Sequence, residues 1–376
     1  MAEGTALASA PGDVHRFPCP ACGAAFRFDP AAGRLVCDHC GTAREMDQDC
    51  GPWAKPAIRE RDFEAALRDL GAMADIEETR VLRCGACGAE VEVDEEVHGT
   101  ACPFCASAVV ADTGTHRHIK PAAIAPFAMD EATARAAMKA WLGRLWFAPT
   151  GLARYARSGR AMAGIYTPYW TFDARTETRY TGQRGTVHHR ARTVMRNGKP
   201  QRVTETRVHW RNVRGRVARA FDDVLVVASR ALPARFTDAL APWDLSHLVP
   251  YAPEYVAGLR AEGYTVDLDA GFAAARGIMD ATIVRDVRFD IGGDRQRITG
   301  LETDVADVTF KHVLLPIWVA AYRYRGASYR IVINGQTGRV HGERPWSIWK
   351  VALAVVAGLL AAAAIGYGIA VIEGIA

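Results

Sequence analysis

Apolar residues recur at every second position over a long central region of the chain. Between about 162 and 232 this alternation is seen in IYTPYWTFDARTETRYTG and in FDDVLVVAS, and a period of two predicts β-strands. Asn197-Gly198 separates two such runs and is typical of a type I′ hairpin turn. A second alternating segment, 307–340, contains another such pair at Asn334-Gly335. The pattern therefore predicts a β-rich α+β domain over 158–345.

Helical periodicity, with apolar residues three or four positions apart, appears in four segments. The predicted helices lie at 56–71, 130–147, 253–262 and 269–285. The first belongs to a predicted helical connector over 53–80, and the second belongs to a helical segment over 113–157. In the second helix Asp130 is the predicted N-cap, and the apolar stripe is predicted to contain Ala137, Trp141 and Leu145.

The end of the chain is uniformly apolar. Residues 351–372 contain no charged side chain, and 22 helical residues are long enough to cross a bilayer. Trp346, Trp349 and Lys350 precede this segment, as residues at a membrane interface do. Because basic residues precede it and none follows it, the positive-inside rule predicts a tail anchor over 346–376 with the bulk of the chain in the cytoplasm. A buried alanine-rich helix in a soluble core is the alternative.

Small residues recur at every fourth position of this apolar segment. They are Ala354, Gly358, Ala362, Gly366 and Ala370. Such a ridge lets transmembrane helices approach closely, so it predicts a homo-oligomer formed in the membrane. Chance is the alternative, because an alanine-rich segment readily produces a ridge of this kind.

The cysteines form an internal repeat. Eight of the nine fall into two sets with the spacing C-x2-C-x14-C-x2-C. The two sets are Cys19, Cys22, Cys37 and Cys40, followed by Cys84, Cys87, Cys102 and Cys105. Two C-x2-C knuckles joined by a β-hairpin bring four thiolates around one ion, so the spacing predicts zinc ribbons over 14–52 and 81–112. Cys50 fits neither set and is interpreted as a free thiol or a packed residue.

A ligand set made only of cysteines leaves no coordination position open for water. We therefore expect two structural zinc ions rather than catalytic ones. A rubredoxin-like iron centre has the same tetrahedral sulfur ligands, and four disulfides are the remaining alternative. Gly23, Gly41 and Gly88 each follow the second cysteine of a knuckle, where we expect a left-handed backbone.

Charge is distributed unevenly along a chain of 376 residues whose formal net charge is +4. The hairpin region 173–220 contains 13 Lys or Arg but only three acidic residues. Within it Arg207, His209 and Arg211 alternate with apolar residues, so these basic groups share one strand face. We expect this face to meet anionic lipid, an acidic protein partner or nucleic acid, or to be a solvated surface.

Motifs of common catalytic sites are absent from the sequence. It contains no G-x-x-x-x-G-K-[ST], G-x-S-x-G, H-E-x-x-H or G-x-G-x-x-G. We therefore expect a protein that is not an enzyme, with an unrecognised active site in the β-rich domain as the alternative.

The chain resembles a bacterial family of membrane-anchored proteins with TFIIB-type zinc ribbons. The resemblance spans nearly the whole chain and rests on CPACGAAF, CDHCG, CGACG with CPFC, IKPAAIAPFAMDEATARAAMKAWL and LLPIWVAAYRYRGASYRIVINGQTGRVHGERPWSIWK. Many members are labelled primosomal protein N′ (replication factor Y) or superfamily II helicase. This sequence lacks the helicase's nucleotide-binding motif, so the resemblance to the helicase ends at the zinc ligands.

The resemblance also implies a location and a kind of partner. Membership in this family implies the bacterial inner membrane, and relatives that act with phage-shock-protein-A-like or SPFH-type membrane proteins imply a scaffold role. The predicted function is a non-enzymatic, zinc-binding adaptor that recruits protein partners to the cytoplasmic face of the membrane. The alternative is a nucleic-acid-binding zinc-ribbon protein linked to replication or transcription.

Overall fold

A computed structural model shows a mixed α+β fold dominated by β-structure. The residues that it describes are 17–46, 58–68, 76–84, 90–92, 99–102, 104, 108–110, 114–149, 162–196, 199–324 and 327–372. Among them are the helices α1 (Phe63–Arg68), α2 (Glu131–Gly143), α3 (Ala234–Leu240), α4 (Leu268–Ile291) and α5 (Ile348–Ile372). The α+β class predicted from the sequence is therefore confirmed.

The strands are numbered in chain order within the same described residues. They are β1 (Phe26–Asp29), β2 (Arg34–Cys37), β3 (Ala43–Arg44), β4 (Arg61–Asp62), β5 (Ile76–Arg83), β6 (Glu90–Glu92), β7 (Gly99–Ala101), β8 (Ala108–Val110), β9 (Gly114–Ile119), β10 (Ala123–Ile124), β11 (Ala163–Arg196), β12 (Lys199–Val227), β13 (Val249–Pro250), β14 (Arg260–Ala261), β15 (Arg295–Tyr324), β16 (Ala327–Asn334) and β17 (Val340–Gly342). β1, β2 and β3 form one small sheet, and β11, β12 and β15 lie side by side in the main sheet.

Three very long strands extend from the body of the protein as an arm. β11 and β12 pair antiparallel out to Arg196 and Lys199, and β15 runs antiparallel to β11 from Gly185 inward. We call residues 175–196, 199–220 and 295–306 the arm. At about 3.3 Å per residue it extends about 70 Å, and beyond Gly185 it contains only the β11–β12 ribbon.

The base of the main sheet forms the centre of the body. Trp170, Phe172 and Phe310 are fully buried there, because the alternation of the strands turns them toward α4 and β9. The indole N–H of Trp170 donates to the carbonyl of Val266 at 2.9 Å, which satisfies the polar atom of a buried ring. The body is therefore held by residues that are distant in the sequence.

The helix α4 packs along the same face of the sheet and stiffens the inner part of the arm. Leu268 is buried at its start, and from Gly271 onward the buried residues recur at every fourth position: Gly271, Ala275, Met279, Ile283, Val287 and Ile291. A Cβ atom at Gly271 would lie 2.6 Å from Trp170, so only glycine allows this close approach. Further out, Ile283 and Val287 pack against Tyr180 of β11.

The N-cap predicted for the second helix is confirmed, but the buried face is different. Asp130 precedes α2, and its carboxylate accepts a hydrogen bond from the Thr133 N–H at 2.8 Å. The buried residues are Ala134, Met138 and Leu142, whereas the predicted stripe of Ala137, Trp141 and Leu145 is only half buried beside them. The buried stripe is therefore displaced by one position from the predicted one. The displacement depends on how the helix packs against the body, and the local sequence pattern carries no information on that packing.

Other predicted elements have different bounds in the structure. The helix predicted at 253–262 is wrong: a 3₁₀ turn, Pro253–Val256, is followed by β14, because Gly258 has a φ of 72° and ends the helical path. Within the helix predicted at 56–71, α1 begins only at Phe63, since Arg61–Asp62 pair with β15 instead. Residues 56–57 and 69–71 of that prediction lie outside the described residues. The helix predicted at 269–285 continues to Ile291 and ends at a glycine with positive φ.

The apolar C-terminal segment forms a single exposed helix. Residues Ile348–Ile369 of α5 are long and apolar enough to span a membrane, and no part of that stretch is buried against the protein. The helix is therefore not part of the core that the described residues form. Ala354, Gly358, Ala362 and Gly366 of the predicted ridge are exposed, and their role in pairing stays a prediction.

Candidate functional site

The first cysteine set forms a compact cluster of four thiols. The knuckle of Cys19 and Cys22 precedes β1, and the knuckle of Cys37 and Cys40 begins at the end of β2, so the β1–β2 hairpin brings them together. The Sγ atoms of Cys19 and Cys40 lie 3.5 Å apart, as do those of Cys22 and Cys37, and all four lie within 4.8 Å of one another. These separations are too long for a disulfide bond of about 2.05 Å.

The same geometry fits a zinc ion. Four Zn–S bonds of about 2.3 Å in a tetrahedron require sulfur separations of about 3.8 Å, close to those of the cluster. Cys19, Cys22, Cys37 and Cys40 would hold the ion with no position left for water, so the site would be structural. The cluster accounts for one ion.

Both knuckles have the same backbone turn. Gly23 and Gly41 have φ values of 76° and 77°, and their N–H groups donate to the carbonyls of Cys19 and Cys37 at 2.8 and 2.9 Å. A Cβ atom at either glycine would meet no neighbour, so the left-handed backbone alone requires glycine there. The left-handed conformation predicted for these two residues is confirmed, whereas Gly88 lies outside the described residues.

The surroundings of the two exposed thiols differ: those of Cys40 favour the thiolate form that zinc requires. The Thr42 hydroxyl lies 3.1 Å from the Cys40 Sγ, and this hydrogen bond lowers the pKa of Cys40 to about 6. At Cys22 a hydrogen bond from the Ala24 backbone is outweighed by the Cys40 thiol and by desolvation, and the pKa of Cys22 is raised to about 12. Cys19 and Cys37 are buried, whereas Cys22 and Cys40 are exposed. The ion would therefore lie at the surface of the ribbon, with two of its ligands facing the body.

This ribbon is packed onto the body rather than tethered to it. The Phe28 N–H donates to the Ala257 carbonyl at 2.9 Å, and the rings of Phe28 and Tyr255 meet edge to face at 5.3 Å. Arg27 lies against the backbone of Gly258, where a Cβ atom would approach it to 2.5 Å. The apolar side of the ribbon is therefore part of the main core, whereas exposed residues lie on its knuckle side.

The second cysteine set lies partly outside the described residues. Cys84 and Cys102 are both buried in one hydrophobic cluster with Phe104, Phe236 and Ile317. They occupy the same places in the repeat as the buried Cys19 and Cys37. Cys87, Cys105 and the ninth cysteine, Cys50, lie outside the described residues, so a second ribbon and a second ion stay predictions.

A second cluster of charged groups surrounds Lys311, which sequence reasoning missed. Its ammonium lies 2.7 Å from Asp223, 3.1 Å from Glu60 and 3.7 Å from Asp173, and its side chain is 9% exposed. The carboxylates of Asp173, Asp222 and Asp223 are close enough to attract a metal ion, but the ammonium already supplies the positive charge. A lysine beside an apolar run in a central strand was the only sequence signal.

The basic residues predicted to share one face of the hairpin do so. Arg207, His209 and Arg211 are exposed on one side of β12, and Val208 and Trp210 are half buried on the other. The ring of Trp210 stacks under the guanidinium of Arg297 at 4.1 Å, which fixes the base of this hairpin.

Comparisons with known proteins agree with the first ribbon. A family model described as the zinc-finger of RNA-polymerase I-specific TFIIB, Rrn7, matches residues 13–43. The chain is also similar to an uncharacterized protein, YdjG, of Bacillus subtilis, with 26% identity over 337 residues that cover 89% of this chain and 92% of that protein. No solved structure matches the chain significantly. Residues 13–43 are therefore a zinc ribbon of the TFIIB type, whereas similarity to primosomal protein N′ is not shown.

Proposed function

We propose that this protein is a membrane-anchored, non-enzymatic adaptor. Its zinc ribbons are held on a rigid cytoplasmic body and recruit a protein partner to the inner membrane. The observation that carries the proposal is the junction between the body and the exposed apolar helix α5. We define the junction as residues 144–149 and 344–350.

The contacts of the junction support a fixed attachment of the helix. The Lys350 ammonium donates to the carbonyls of Trp146 and Ala148 at 3.1 and 2.9 Å. The Ser347 N–H donates to the Phe147 carbonyl at 2.8 Å, and the rings of Phe147 and Trp346 lie 6.1 Å apart. The body therefore approaches the membrane in one orientation instead of hanging from a flexible tether.

The aromatic side chains of the junction are placed as interfacial residues would be. Trp146 is 80% exposed, and Trp349 is 86% exposed at the start of α5. Tryptophan concentrates at the boundary between lipid and water, where its ring is buried and its N–H stays hydrated. Exposure of two such rings beside an apolar helix is explained by a bilayer that covers them.

Photo-crosslinking tests the anchor and its orientation. p-Benzoylphenylalanine replaces Trp146, Trp349 or Phe289 in the full chain, and lipid adducts are measured in intact membranes. Phe289 is the control, because it is 90% exposed on the last turn of α4, where the helix packs along the arm. We expect adducts at the two tryptophan positions and none at Phe289.

The outcomes separate two parts of the proposal. Absence of adducts at Trp349, or release of the chain by carbonate, would contradict the anchor itself. Adducts at Trp349 without adducts at Trp146 would contradict the fixed orientation while leaving the anchor in place.

Recruitment is supported by the closed metal site and by the exposed knuckle side of the first ribbon. It is tested by crosslinked co-purification from native membranes with the wild type, Cys22→Ser with Cys40→Ser, and the control Cys50→Ser; Cys22 and Cys40 are the exposed ligands of the first ribbon. We expect partner recovery to fall at least tenfold only in the double variant, with the body still resistant to trypsin at the temperature of the assay. Unchanged recovery would contradict a role for the first ribbon in recruitment.

A further inference from the structure

We call residues 184–196 and 199–211 the outer arm, or outer ribbon, and the rest of the arm the inner arm. The strand register gathers the basic side chains of the outer arm onto one face. His188 lies opposite Arg207, and Arg190 lies opposite Glu205, and side chains of directly opposed residues point to the same side of a ribbon. Because every second side chain of a strand points to the same side, the basic residues two positions away on each strand lie on this side as well. We call it the basic face; its exposed members are Arg184, His188, Arg190, Arg192, Arg207, His209 and Arg211.

The other face of the outer ribbon is mostly uncharged. It contains Val187, His189, Ala191, Thr193 and Met195 on β11, and Pro200, Thr204, Thr206, Val208 and Trp210 on β12. The register assigns one basic residue to it, Arg202 opposite Thr193. Most of the basic charge therefore lies on one side of the ribbon.

The inner part of the arm shows what a solvated charged surface looks like in this protein. There Arg179 pairs with Glu302 and Asp304, and Arg216 pairs with Glu177 at 3.4 Å. Positive and negative groups are interspersed, so their charges cancel locally. The basic face lacks such pairing of positive with negative groups, so its charge can be neutralised by an anion from outside the protein.

The single acidic residue of the basic face leaves most of the charge uncompensated. Glu205 lies 2.7 Å from Arg207, and this pair holds the pKa of Glu205 below its usual range. Arg190, Arg192 and Arg211 form no ion pair with any described residue. The excess charge is therefore available to a ligand.

The position of the arm argues against the protein's own membrane as that ligand. β15 runs from the arm to the opposite end of the sheet. At that end the Glu343 N–H donates to the Arg330 carbonyl, just before the chain enters α5. Along β11, Arg190 lies about 90 Å from Ala163 at 3.3 Å per residue. The arm and the apolar helix thus leave the sheet from opposite ends.

We propose that the basic face binds the phosphate backbone of double-stranded nucleic acid. A two-stranded β-ribbon fits the major groove of B-DNA, and arginines about 6.6 Å apart on one strand can reach successive phosphates. This binding goes beyond the recruitment role proposed above and depends on neither zinc nor a protein partner.

The test uses the full chain in nanodiscs of zwitterionic lipid and a fluorescent 20-base-pair DNA duplex. One variant combines Arg190→Gln, Arg192→Gln and Arg211→Gln, the three arginines without an ion pair to a described residue. The matched control combines Arg175→Gln, Arg179→Gln and Arg216→Gln, which removes the same charge from the inner arm. We expect the first to weaken binding at least tenfold and to reduce the salt slope by about 2.7. We expect the control to change binding less than twofold.

Three outcomes would overturn this assignment. Absence of duplex binding at low salt ends it, and equal losses in both variants reduce it to a general electrostatic attraction. Binding to vesicles with anionic lipid that is lost only in the basic-face variant, without duplex binding, assigns the face to lipid. Because every variant keeps α5, retention in nanodiscs reports separately on the anchor.

Discussion

Lys311 shows how a single residue organises the base of the arm. Burial by itself lowers the pKa of this lysine, but hydrogen bonds to Asp223 and Glu60 outweigh burial and raise it above the usual range. Asp173 and Asp223 lie at the β-bulge where the register between β11 and β12 shifts. The Lys311 ammonium contacts both carboxylates and so links the two strands at this bulge. The charged group therefore acts as a cross-link between arm and body.

Lys311→Met is expected to be strongly destabilising. It leaves three carboxylates facing one another without a cation, and loss of one partner from a buried ion pair costs about 3–5 kcal/mol. Because the carboxylates are partly exposed, we expect about 2–4 kcal/mol, measured by thermal unfolding of the detergent-solubilised chain. Arg276→Met is the control, since Arg276 makes only a surface pair on α4.

The pH dependence of the same variant provides a second test. Burial raises the pKa of Asp173, so the folded state takes up a proton more readily than the unfolded state does. Protonation relieves repulsion among the carboxylates, and the stability lost in Lys311→Met should therefore be partly recovered as pH falls from 8 toward 5. A larger loss at the lower pH would contradict this account.

Asp130 provides a simpler test at the N-terminus of α2. Its hydrogen bonds to Thr133 lower its pKa, so its stabilising effect is present above the unfolded pKa near 4 and is lost as pH falls below it. Asp130→Ala should cost about 1 kcal/mol at pH 7, whereas Asp130→Asn, which keeps a capping oxygen, should cost far less. Equal losses in the two variants would show that the cap is not the cause.

At the scale of elements, the first zinc ribbon is a structural part of the body. Its hairpin places Phe28 against Tyr255 and Ala257, so the metal cluster and the main core share one set of contacts. A ribbon with so small a core of its own depends on the metal for its fold. The stability of the body should therefore respond to zinc.

Removal of zinc by a chelator is expected to lower the unfolding temperature of the whole body. The same change is expected for Cys37→Ser, because a buried ligand is lost. Phe28→Ala should cost about 3–5 kcal/mol with zinc still bound, because it removes the packing and leaves the ligands intact. A body whose unfolding is unaffected by the chelator would contradict the shared core.

At the scale of the whole molecule, the apolar helix and the basic face are separated by the length of the sheet. The apolar helix α5 and the junction lie at one end, and the outer arm lies at the other. The cysteine repeat adds a second predicted metal centre near Phe236 and Ile317. Both ribbons would then stabilise the one body that holds the two ends apart.

Metal analysis of the intact chain tests this arrangement. We expect two zinc equivalents in the wild type and one in Cys87→Ser with Cys105→Ser, because thiolate ligands hold the ion in a closed site. Cys50→Ser is the matched control and should keep two. One equivalent in the wild type would contradict the second centre, and iron in place of zinc would contradict the metal assignment.

The sequence by itself determined the features that depend on neighbouring residues. The β11–β12 hairpin follows from a period of two, and the cap at Asp130 and the turns at Gly23 and Gly41 follow from local backbone chemistry. The thiol cluster follows from the spacing of its knuckles, and the exposed span follows from a run of apolar residues. Each signal lies within a short stretch of chain, so one stretch was enough to recognise it.

Tertiary structure alone decided the contacts between distant stretches. Lys311 meets Glu60, Trp146 meets Lys350, and Phe28 meets Ala257. β15 begins at Arg295, where the sequence alternates too weakly to predict a strand; it forms there because pairing with β11 supplies its hydrogen bonds. Local periodicity does not record which strands or loops become neighbours, since that choice depends on the free energy of burying them together.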